Sequence, residues 1–261
     1  MAHLRIDEPM SGVRLLTLVN EEKRNAVDPD MLEAIRAAAV EAGEDGTRCV
    51  VLTGSGRQAF CAGYDLKLLQ QRATETIEHL PDDVLQAAVS ALERTAPPVI
   101  AAVNGHAFGA GAELAAACDL RIASENARIA MPPAKLGIVY APAGLQRFVE
   151  LVGVAWTRRL FYTGEVVDAR KACVIGLVGE VTPEGEALDR ALELASTIAG
   201  NSPLAVQGMK RILGLMRKRE LPAAAVAEVE ALRRASFASE DAKEGIAAVL
   251  ERRAPQFKGR G

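Results

Sequence analysis

One acidic residue, Glu113, follows a glycine-rich turn at the end of an apolar stretch. The run Val99–Val103 predicts a strand, and residues 109–111 (Gly-Ala-Gly) predict a turn that opens a helix. The first amides of a helix lack an intrahelical partner and carry the positive end of the helix dipole. The turn can therefore hold negative charge on a ligand while Glu113 acts nearby as an acid or base.

A second glycine turn follows another apolar stretch. Residues 49–53 predict a short buried strand, and residues 61–65 (Cys-Ala-Gly-Tyr-Asp) come soon after it. If the two turns meet, each can direct one backbone amide at the same oxygen atom. Such a pair of donors is an oxyanion hole, which stabilises an enolate or a tetrahedral intermediate. The alternative is that these glycines only permit tight packing between strands and helices.

The turn at 109–111 also shares features with a dinucleotide-binding turn. Gly109 and Gly111 match the first two glycines of G-x-G-x-x-G, but Leu114 stands at the third position. Glu125 lies near a predicted strand end, where a ribose contact would be expected. Glu113, however, would repel a pyrophosphate, so the sequence favours the oxyanion hole.

The composition indicates an α/β protein with a large core. Of the 261 residues, 49% are hydrophobic and 4% are aromatic, so small aliphatic side chains must pack helices against a buried sheet. A net charge of -3 gives no general attraction to nucleic acid or to an anionic membrane. The sequence has no apolar run of about 18 residues, and charges stand where a signal peptide needs an apolar stretch. We expect a cytoplasmic protein.

The cysteines are far apart in the sequence, and no clustered histidines accompany them. They are Cys49, Cys61, Cys118 and Cys173. We expect buried, reduced thiols and no metal site. Cys61 needs separate attention because it lies beside the second glycine turn.

Strands alternate with helices in the first half of the chain, and helices dominate the second half. Predicted strands span 13–19, 49–53, 99–103 and 120–123; predicted helices span 28–42, 83–94, 144–151, 154–162, 168–174, 184–199, 203–219, 222–238 and 240–252, besides the one that carries Glu113. Residues 69–82 show no clear periodicity and predict a loop or a loose helix. The pattern predicts an α/β core over residues 1–200 and a helical extension over 201–261, built as one unit.

Several segments together resemble the crotonase (enoyl-CoA hydratase/isomerase) superfamily. They are residues 25–27, 60–66, the Asn-Gly-x-x-x-Gly-Ala-Gly-Ala-Glu-Leu pattern at 104–114, 118–123 and 244–253. The resemblance covers nearly the whole chain in the right order. It implies a spiral of ββα units and acyl-CoA thioester substrates, with no cofactor beyond the coenzyme A that the substrate carries. It also implies a homotrimer, often paired into a hexamer through the C-terminal region.

The resemblance assigns roles to individual residues. It implies that the backbone amides of Tyr64 and Ala110 form the oxyanion hole and that Glu113 is one of the two carboxylates of the hydratases. The position of the second carboxylate is Pro133, which cannot transfer a proton. Tyr140 follows shortly after, in a pattern similar to the methylmalonyl-CoA decarboxylase branch, although that branch has histidine at the position of Tyr64.

Further positions match those that bind coenzyme A in the superfamily. They are Lys23, Arg24, Ala26, Ala62, Asp65, Leu66, Lys67 and Arg252. Arg252 matches a basic residue that reaches the coenzyme A of a neighbouring subunit. The alternative for each basic residue is a solvated surface charge.

The missing second carboxylate favours decarboxylation of a malonyl- or methylmalonyl-type thioester through an enolate. Two amides would hold the enolate oxygen, and the Tyr140 hydroxyl would hold the departing carboxylate. Two alternatives stay open: a hydratase or isomerase that uses Glu113 as its sole acid and base, and a non-catalytic homologue that binds acyl-CoA or a partner. Tyr140 could also be a core tyrosine.

Overall fold

Two β-sheets form the framework of the protein. The computed structural model describes residues 2–68, 80, 82–216 and 223–256. In spatial order, the larger sheet contains β1 (His3–Met10), β2 (Val13–Val19), β3 (Cys49–Gly54), β5 (Val99–Val103), β7 (Leu120–Ser124) and β10 (Glu180–Thr182). The smaller sheet contains β4 (Ala59–Cys61), β6 (His106–Phe108), β8 (Arg128–Ala130) and β9 (Val166–Asp168).

Helices follow and surround these strands. They are α1 (Pro29–Ala42), α2 (Asp83–Arg94), α3 (Ala110–Ala117), α4 (Pro142–Thr163), α5 (Ala169–Val174), α6 (Ala187–Gly200), α7 (Pro203–Met216), α8 (Ala223–Ala238) and α9 (Glu240–Leu250). Two short 3-10 helices span Glu21–Lys23 and Pro133–Leu136. Within the described part of the chain, no helix is both long and apolar enough to cross a membrane.

Successive ββα units build both sheets at once. Strands β3, β5 and β7 pair in parallel in the larger sheet, while the strands that follow them, β4, β6 and β8, pair in parallel in the smaller one. Each unit therefore gives its first strand to one sheet and its second strand to the other. This confirms the α/β class and the predicted spiral of ββα units.

The larger sheet is buried on both faces, which explains the continuous apolar runs of its central strands. On one face, Val50 and Leu52 belong to the main core with helices α1 and α2. On the other face, Cys49 and Val51 pack with alanines of α6. The alternation follows from the two-residue period of a strand.

The start of α1 follows local sequence signals. Asp28 caps the helix, its carboxylate accepts a hydrogen bond from the Met31 amide at 2.9 Å, and Pro29 is the first helical residue. The prediction for this helix is confirmed.

Several elements differ from the sequence-based expectation. The strands β4, β6, β8, β9 and β10 were not predicted, because three residues are too few to show a periodic pattern. Strand β1 was not predicted, because charged residues alternate along an exposed strand that pairs on one side only, with β2. The helices predicted at 144–151 and 154–162 form one element, α4, with a kink at Gly153 (φ 71°). Pro133 is the first residue of the 3-10 turn Pro133–Leu136. Residues 69–79, predicted as a loop or loose helix, are outside the described residues.

Candidate active site

The two predicted glycine turns lie against each other. Strands β4 and β6 pair in parallel, with Cys61 opposite Ala107, so the turns that follow them leave the same edge of the smaller sheet. Gly63 has a φ of +108°, and a Cβ there would stand 3.0 Å from the Phe108 carbonyl oxygen and 3.8 Å from the Ala110 nitrogen. Glycine is required at this position because the two backbones come so close.

Both residues of the predicted oxyanion hole border one cavity of about 370 Å³. Tyr64 pairs with Val27 in an isolated bridge, which fixes the backbone at the end of its turn. Ala110 is the first residue of α3, so its amide has no intrahelical acceptor. The backbone thus brings Tyr64 and Ala110 to the same cavity, as the resemblance implies.

The rest of the cavity wall is mainly apolar. Apolar side chains in the wall include Leu66, Leu85, Phe108, Pro133, Leu136, Ile138, Phe237 and Val249. Among the described lining residues, those with polar side chains are Tyr64, Asp82, Lys135 and Tyr140. The Lys135 ammonium donates a hydrogen bond to the Gly164 carbonyl oxygen at 2.7 Å. Such a wall suits a largely apolar group held by a few polar contacts.

Glu113 does not line this cavity and has no exposed surface. Its carboxylate accepts hydrogen bonds from the Tyr140 hydroxyl, from Arg147 Nη1 (2.7 Å to Oε1) and from Gln86 Nε2 (3.1 Å to Oε1). Tyr140, by contrast, lines the cavity. Tyr140 therefore stands between the cavity and Glu113.

Burial and charge set the protonation of this pair. Burial raises the pKa of Glu113, although Arg147, Tyr140 and Gln86 all favour the charged carboxylate. Burial and the neighbouring Glu113 charge raise the pKa of Tyr140 well above its ordinary value. The Tyr140 hydroxyl therefore keeps its proton at neutral pH, and burial makes the Glu113 carboxylate easier to protonate than an exposed glutamate.

Arg147 connects the buried carboxylate to a second acidic side chain. It is 4% exposed, and its Nε and Nη2 donate to the two carboxylate oxygens of Glu93 at 2.9 and 3.1 Å. Burial lowers the pKa of Arg147, but Glu93 and Glu113 outweigh that effect and raise it. Arg147 thus remains charged and holds Glu113 in place.

Gly144 allows Tyr140 and Glu113 to meet. It lies in the first turn of α4, and a Cβ there would stand 2.5 Å from Tyr140 Cε1 and 2.7 Å from Glu113 Oε1. Pro133 contributes only an apolar surface to the cavity wall, at the position where the resemblance implies a second carboxylate in hydratases.

Residues 8–260 match the enoyl-CoA hydratase/isomerase family. The chain belongs to this family. It is accordingly an acyl-CoA-processing enzyme of the crotonase superfamily.

Individual relatives differ in their reactions. The chain is 37% identical to the 2,3-dehydroadipyl-CoA hydratase of Escherichia coli, over 95% of this chain and 96% of the relative. It is 36% identical to the short-chain-enoyl-CoA hydratase of Clostridium acetobutylicum, over 97% of each chain. A solved structure of methylmalonyl-CoA decarboxylase, in complex with 2-nitronate-propionyl-CoA, superimposes with a TM-score of 0.90 at 25% identity, covering 99% of both chains.

The residues predicted to bind coenzyme A lie in different surroundings. Ala62 and Leu66 line the cavity, and Ala26 is buried. Asp65 accepts a hydrogen bond from Lys23 Nζ at 2.6 Å and another from the Lys67 backbone amide at 3.0 Å. Their roles in this family member stay predictions.

The two remaining basic positions are exposed. Arg24 ends the 3-10 turn Glu21–Lys23 in a left-handed conformation with a φ of 52°. Arg252 follows α9, close in sequence to Val249 of the cavity wall. The predicted contact of Arg252 with a neighbouring subunit stays a prediction.

Sequence reasoning missed several polar residues around the site. Gln86 and Glu93 are seven residues apart on α2, which places both side chains on the helix face toward Arg147. This spacing could have predicted that the two side chains contact the same partner. Asp82, by contrast, ends a segment without periodicity, and no local pattern indicates that it lines the cavity.

The buried cysteines are inert thiols. Burial raises the pKa to about 12 in each of Cys49, Cys61 and Cys118. Cys61 Sγ accepts a hydrogen bond from the Gly63 amide at 3.4 Å, so this thiol supports the turn and is no nucleophile at neutral pH. The described residues contain no cluster of three or more histidine, cysteine, aspartate or glutamate side chains suited to a metal ion.

Proposed function

We propose that this protein is an enoyl-CoA hydratase or isomerase in which Tyr140 relays protons between the acyl group and Glu113. The observation that carries the proposal is the hydrogen bond from the cavity-lining Tyr140 hydroxyl to the fully buried Glu113 carboxylate. The hydratases that share 36% and 37% identity with the chain support this reaction class.

In hydration, the relay activates water and then protonates the substrate. The water oxygen bonds to the β-carbon while its proton passes to the Tyr140 oxygen and the proton of Tyr140 passes to Glu113. The electrons of the double bond move to the thioester oxygen, and the amides of Tyr64 and Ala110 stabilise this enolate. Glu113 then returns a proton through Tyr140 to the α-carbon, which restores the thioester carbonyl. In isomerisation, the relay takes a proton from one carbon and returns it to another.

Tyr140 cannot serve as a base by itself, because its pKa is raised well above the ordinary value. Tyr140 can accept a proton only if a partner takes the proton of its hydroxyl group at the same time. Glu113 is that partner, and Arg147 stabilises its charge between steps. The relay thus assigns a role to a carboxylate that cannot touch the substrate.

Decarboxylation of a malonyl-type thioester is a second candidate, favoured by Pro133. Pro133 puts no negative charge beside a substrate carboxylate, and the decarboxylase structure with a TM-score of 0.90 is consistent with this reading. The electrons of the broken C–C bond would enter the enolate as CO2 leaves, and the α-carbon would then take a proton. Tyr140 would bind the leaving carboxylate, and Glu113 would not be needed as a base.

Two substrates and two variants distinguish these reactions. With crotonyl-CoA, we expect loss of the conjugated enoyl absorbance, and Glu113→Gln and Tyr140→Phe should each lower kcat by about 10²–10⁴-fold. Tyr162→Phe is the matched control, since Tyr162 lies on α4 and is 72% exposed.

Opposite results would overturn the proposal. The decarboxylase reading requires an enzyme that is inert to crotonyl-CoA but releases CO2 from methylmalonyl-CoA, with release surviving Glu113→Gln. Tight binding of both thioesters without turnover of either would indicate a non-catalytic homologue.

A further inference from the structure

Gln86 is a neutral side chain in contact with the buried Glu113 carboxylate, and the proposed relay gives it no role. It lies on α2, which packs against α3, the helix that carries Glu113. Its Nε2 donates to both carboxylate oxygens of Glu113, at 3.1 Å to Oε1 and 3.3 Å to Oε2. Gln86 is not among the residues that line the acyl-CoA cavity. It can therefore affect the substrate only through the carboxylate.

Arg147 determines which way the Gln86 amide points. Arg147 Nη1 donates to Gln86 Oε1 at 3.5 Å and to Glu113 Oε1 at 2.7 Å, while Nε and Nη2 of the same guanidinium donate to Glu93. A guanidinium has donors only, and an ionised carboxylate has acceptors only. The amide oxygen of Gln86 must therefore face Arg147, and its NH2 group must face Glu113.

The two oxygens of the Glu113 carboxylate have different partners. Oε1 accepts from Arg147 at 2.7 Å and from Gln86 at 3.1 Å. Oε2 accepts from the Tyr140 hydroxyl and makes a longer contact of 3.3 Å with Gln86. A proton on Oε1 would point at a positively charged donor, whereas a proton on Oε2 can be shared with the Tyr140 oxygen. Oε2 is therefore the atom that takes up the proton of Tyr140 in the relay.

We propose that Gln86 is a positioning residue that holds the Glu113 carboxylate in its ionised form and directs Oε2 at the Tyr140 hydroxyl. A hydrogen bond to the charged form of an acid stabilises that form over the neutral one. Arg147 supplies a donor to Oε1 alone, and the amide of Gln86 adds a second donor that fixes the plane of the carboxylate. Because Gln86 is neutral, it does this without adding a charge that would prevent proton uptake.

The effect of Gln86 on turnover rests on the proposed function, whereas its effect on the Glu113 carboxylate does not. Both can therefore be measured, and they can fail separately.

Several charged and titratable groups act on Glu113 besides Gln86. Arg147 of α4 and Tyr140 contact it directly, and the charge of Asp82 at the start of α2 also acts on it. Asp82 is paired with Arg233 of α8, whose Nη2 donates to both of its carboxylate oxygens at 2.7 and 2.6 Å. The strands packed against α3 carry two further titratable side chains, Cys61 of β4 and His106 of β6. A substitution of Gln86 leaves all these groups in the protein, so its effect is measured against the same set of charges.

Infrared titration of the Glu113 carboxyl group tests the proposal without requiring turnover. The C=O stretching band of protonated Glu113 is identified by its absence in Glu113→Gln, and its intensity as a function of pH gives the midpoint of protonation. Gln86→Met has nearly the shape of the wild type but no donor. Loss of a hydrogen bond to a charged group should raise the midpoint by about 1–2 pH units, the equivalent of about 1.5–3 kcal/mol.

Gln86→Glu is a second variant of the same shape and gives the test a second readout. It places a carboxyl group beside Glu113, and two neighbouring carboxylates do not readily ionise together. We expect the pair to lose its last proton at a higher pH than Gln86→Met does. Gln146→Met is the matched control, because Gln146 is exposed on α4 and its amide donates to Glu150 at 2.9 Å. This control should leave both the midpoint and the activity unchanged.

Hydration of crotonyl-CoA measures the consequence for the reaction. Gln86→Met should lower kcat by about 10–100-fold, because the carboxylate is no longer aligned with Tyr140. KM should stay nearly constant, since Gln86 does not line the cavity. The acid limb of kcat/KM should move upward by the same amount as the infrared midpoint. A side chain with only a structural role would move neither midpoint.

The results separate this proposal from the proposed function. If the infrared midpoint of Gln86→Met equals that of the wild type, or if Gln86→Glu lowers it, the positioning role is wrong and the reaction is unaffected. If Gln86→Met does not fold, an unchanged midpoint in Gln86→Glu has the same meaning. If the infrared midpoints move as expected but the wild type turns over no enoyl-CoA, or if the acid limb does not follow them, the relay is overturned and the control of Glu113 by Gln86 stands.

Discussion

Replacing Arg147 with methionine removes the positive charge that compensates Glu113. The two side chains are 4% and 0% exposed, and their closest nitrogen and oxygen atoms are 2.7 Å apart. At an effective dielectric constant of about 20, Coulomb's law gives about 6 kcal/mol for unit charges at this separation. That attraction is the upper limit of the energy lost at Glu113, since Glu113 can instead take up a proton; the lost contact with Glu93 is a separate contribution.

Proton uptake by Glu113 limits how much folding stability the Arg147→Met variant loses. A glutamate with an unfolded-state pKa of about 4.3 costs about 3.7 kcal/mol to protonate at pH 7, at about 1.4 kcal/mol per pH unit. Removing Arg147 raises the folded-state pKa of Glu113 further. A raised folded-state pKa gives stability that is fully present below the unfolded pKa and is lost as the pH rises through the folded one. The variant should therefore be least stable at neutral and higher pH.

A second substitution isolates the free-energy cost of protonating Glu113. Arg147→Met/Glu113→Gln has no carboxyl group at the buried position, so it needs no proton to fold. We expect the double variant to exceed Arg147→Met in free energy of unfolding by up to about 3.7 kcal/mol at pH 7 and by about 1 kcal/mol at pH 5. Urea denaturation followed by circular dichroism, at one protein concentration, measures both differences.

An exposed ion pair on the same helix is the control. Arg159 pairs with Glu165 at side-chain exposures of 58% and 28%, so Arg159→Met should cost no more than about 1 kcal/mol. The reasoning is refuted if Glu113→Gln does not rescue Arg147→Met, or if the rescue is the same at pH 5 and pH 7.

Three further results should follow from the same geometry. Gly144→Ala should lower kcat by about 10–100-fold, because its Cβ displaces Tyr140 from Glu113. Gly208→Ala is the control, because Gly208 lies in a helix with open space around it. This variant should keep full activity and gain about 0.4–1 kcal/mol in free energy of unfolding. Equal activity in Gly144→Ala and Gly208→Ala would contradict the role given to Gly144. The acid limb of the pH profile of kcat/KM should have its midpoint above about 4.3, the ordinary pKa of glutamate. The reason is that burial raises the pKa of Glu113 and the relay needs this carboxylate ionised. A midpoint at or below about 4.3 would exclude Glu113 as the base. Maleimide should label Cys173 in the native protein and the three buried cysteines only after unfolding, as mass spectrometry would show.

The parts of the fold that could be predicted from the sequence are those with a local sequence signal. Asp28 and Pro29 define the start of α1, and uninterrupted apolar runs define the central strands, because capping and burial act over a few residues. The exposed strand β1 has no such run. Its pairing with β2 depends on backbone hydrogen bonds, which its charged side chains do not indicate.

The site could be predicted only in part, because its contacts are long-range. The positions of Tyr64, Ala110 and Glu113 follow from their turns and from the family resemblance. The hydrogen bond from the Tyr140 hydroxyl to Glu113 joins residues that are 27 positions apart in the sequence. The Asp82–Arg233 pair joins residues 151 positions apart, and no periodicity relates them.

In the proposed relay, the full burial of the Glu113 carboxylate has a consequence for how hydrogen isotopes move during turnover. Glu113 has no exposed surface, and among the described side chains that bond to it, Tyr140 is the one that lines the cavity. While a ligand fills the cavity, a hydrogen that the relay takes from the ligand is separated from bulk water. If the proposed relay operates, we expect this hydrogen to return to the same ligand more often than it exchanges, so that a deuterium label moved between carbons in an isomerisation stays within one product molecule.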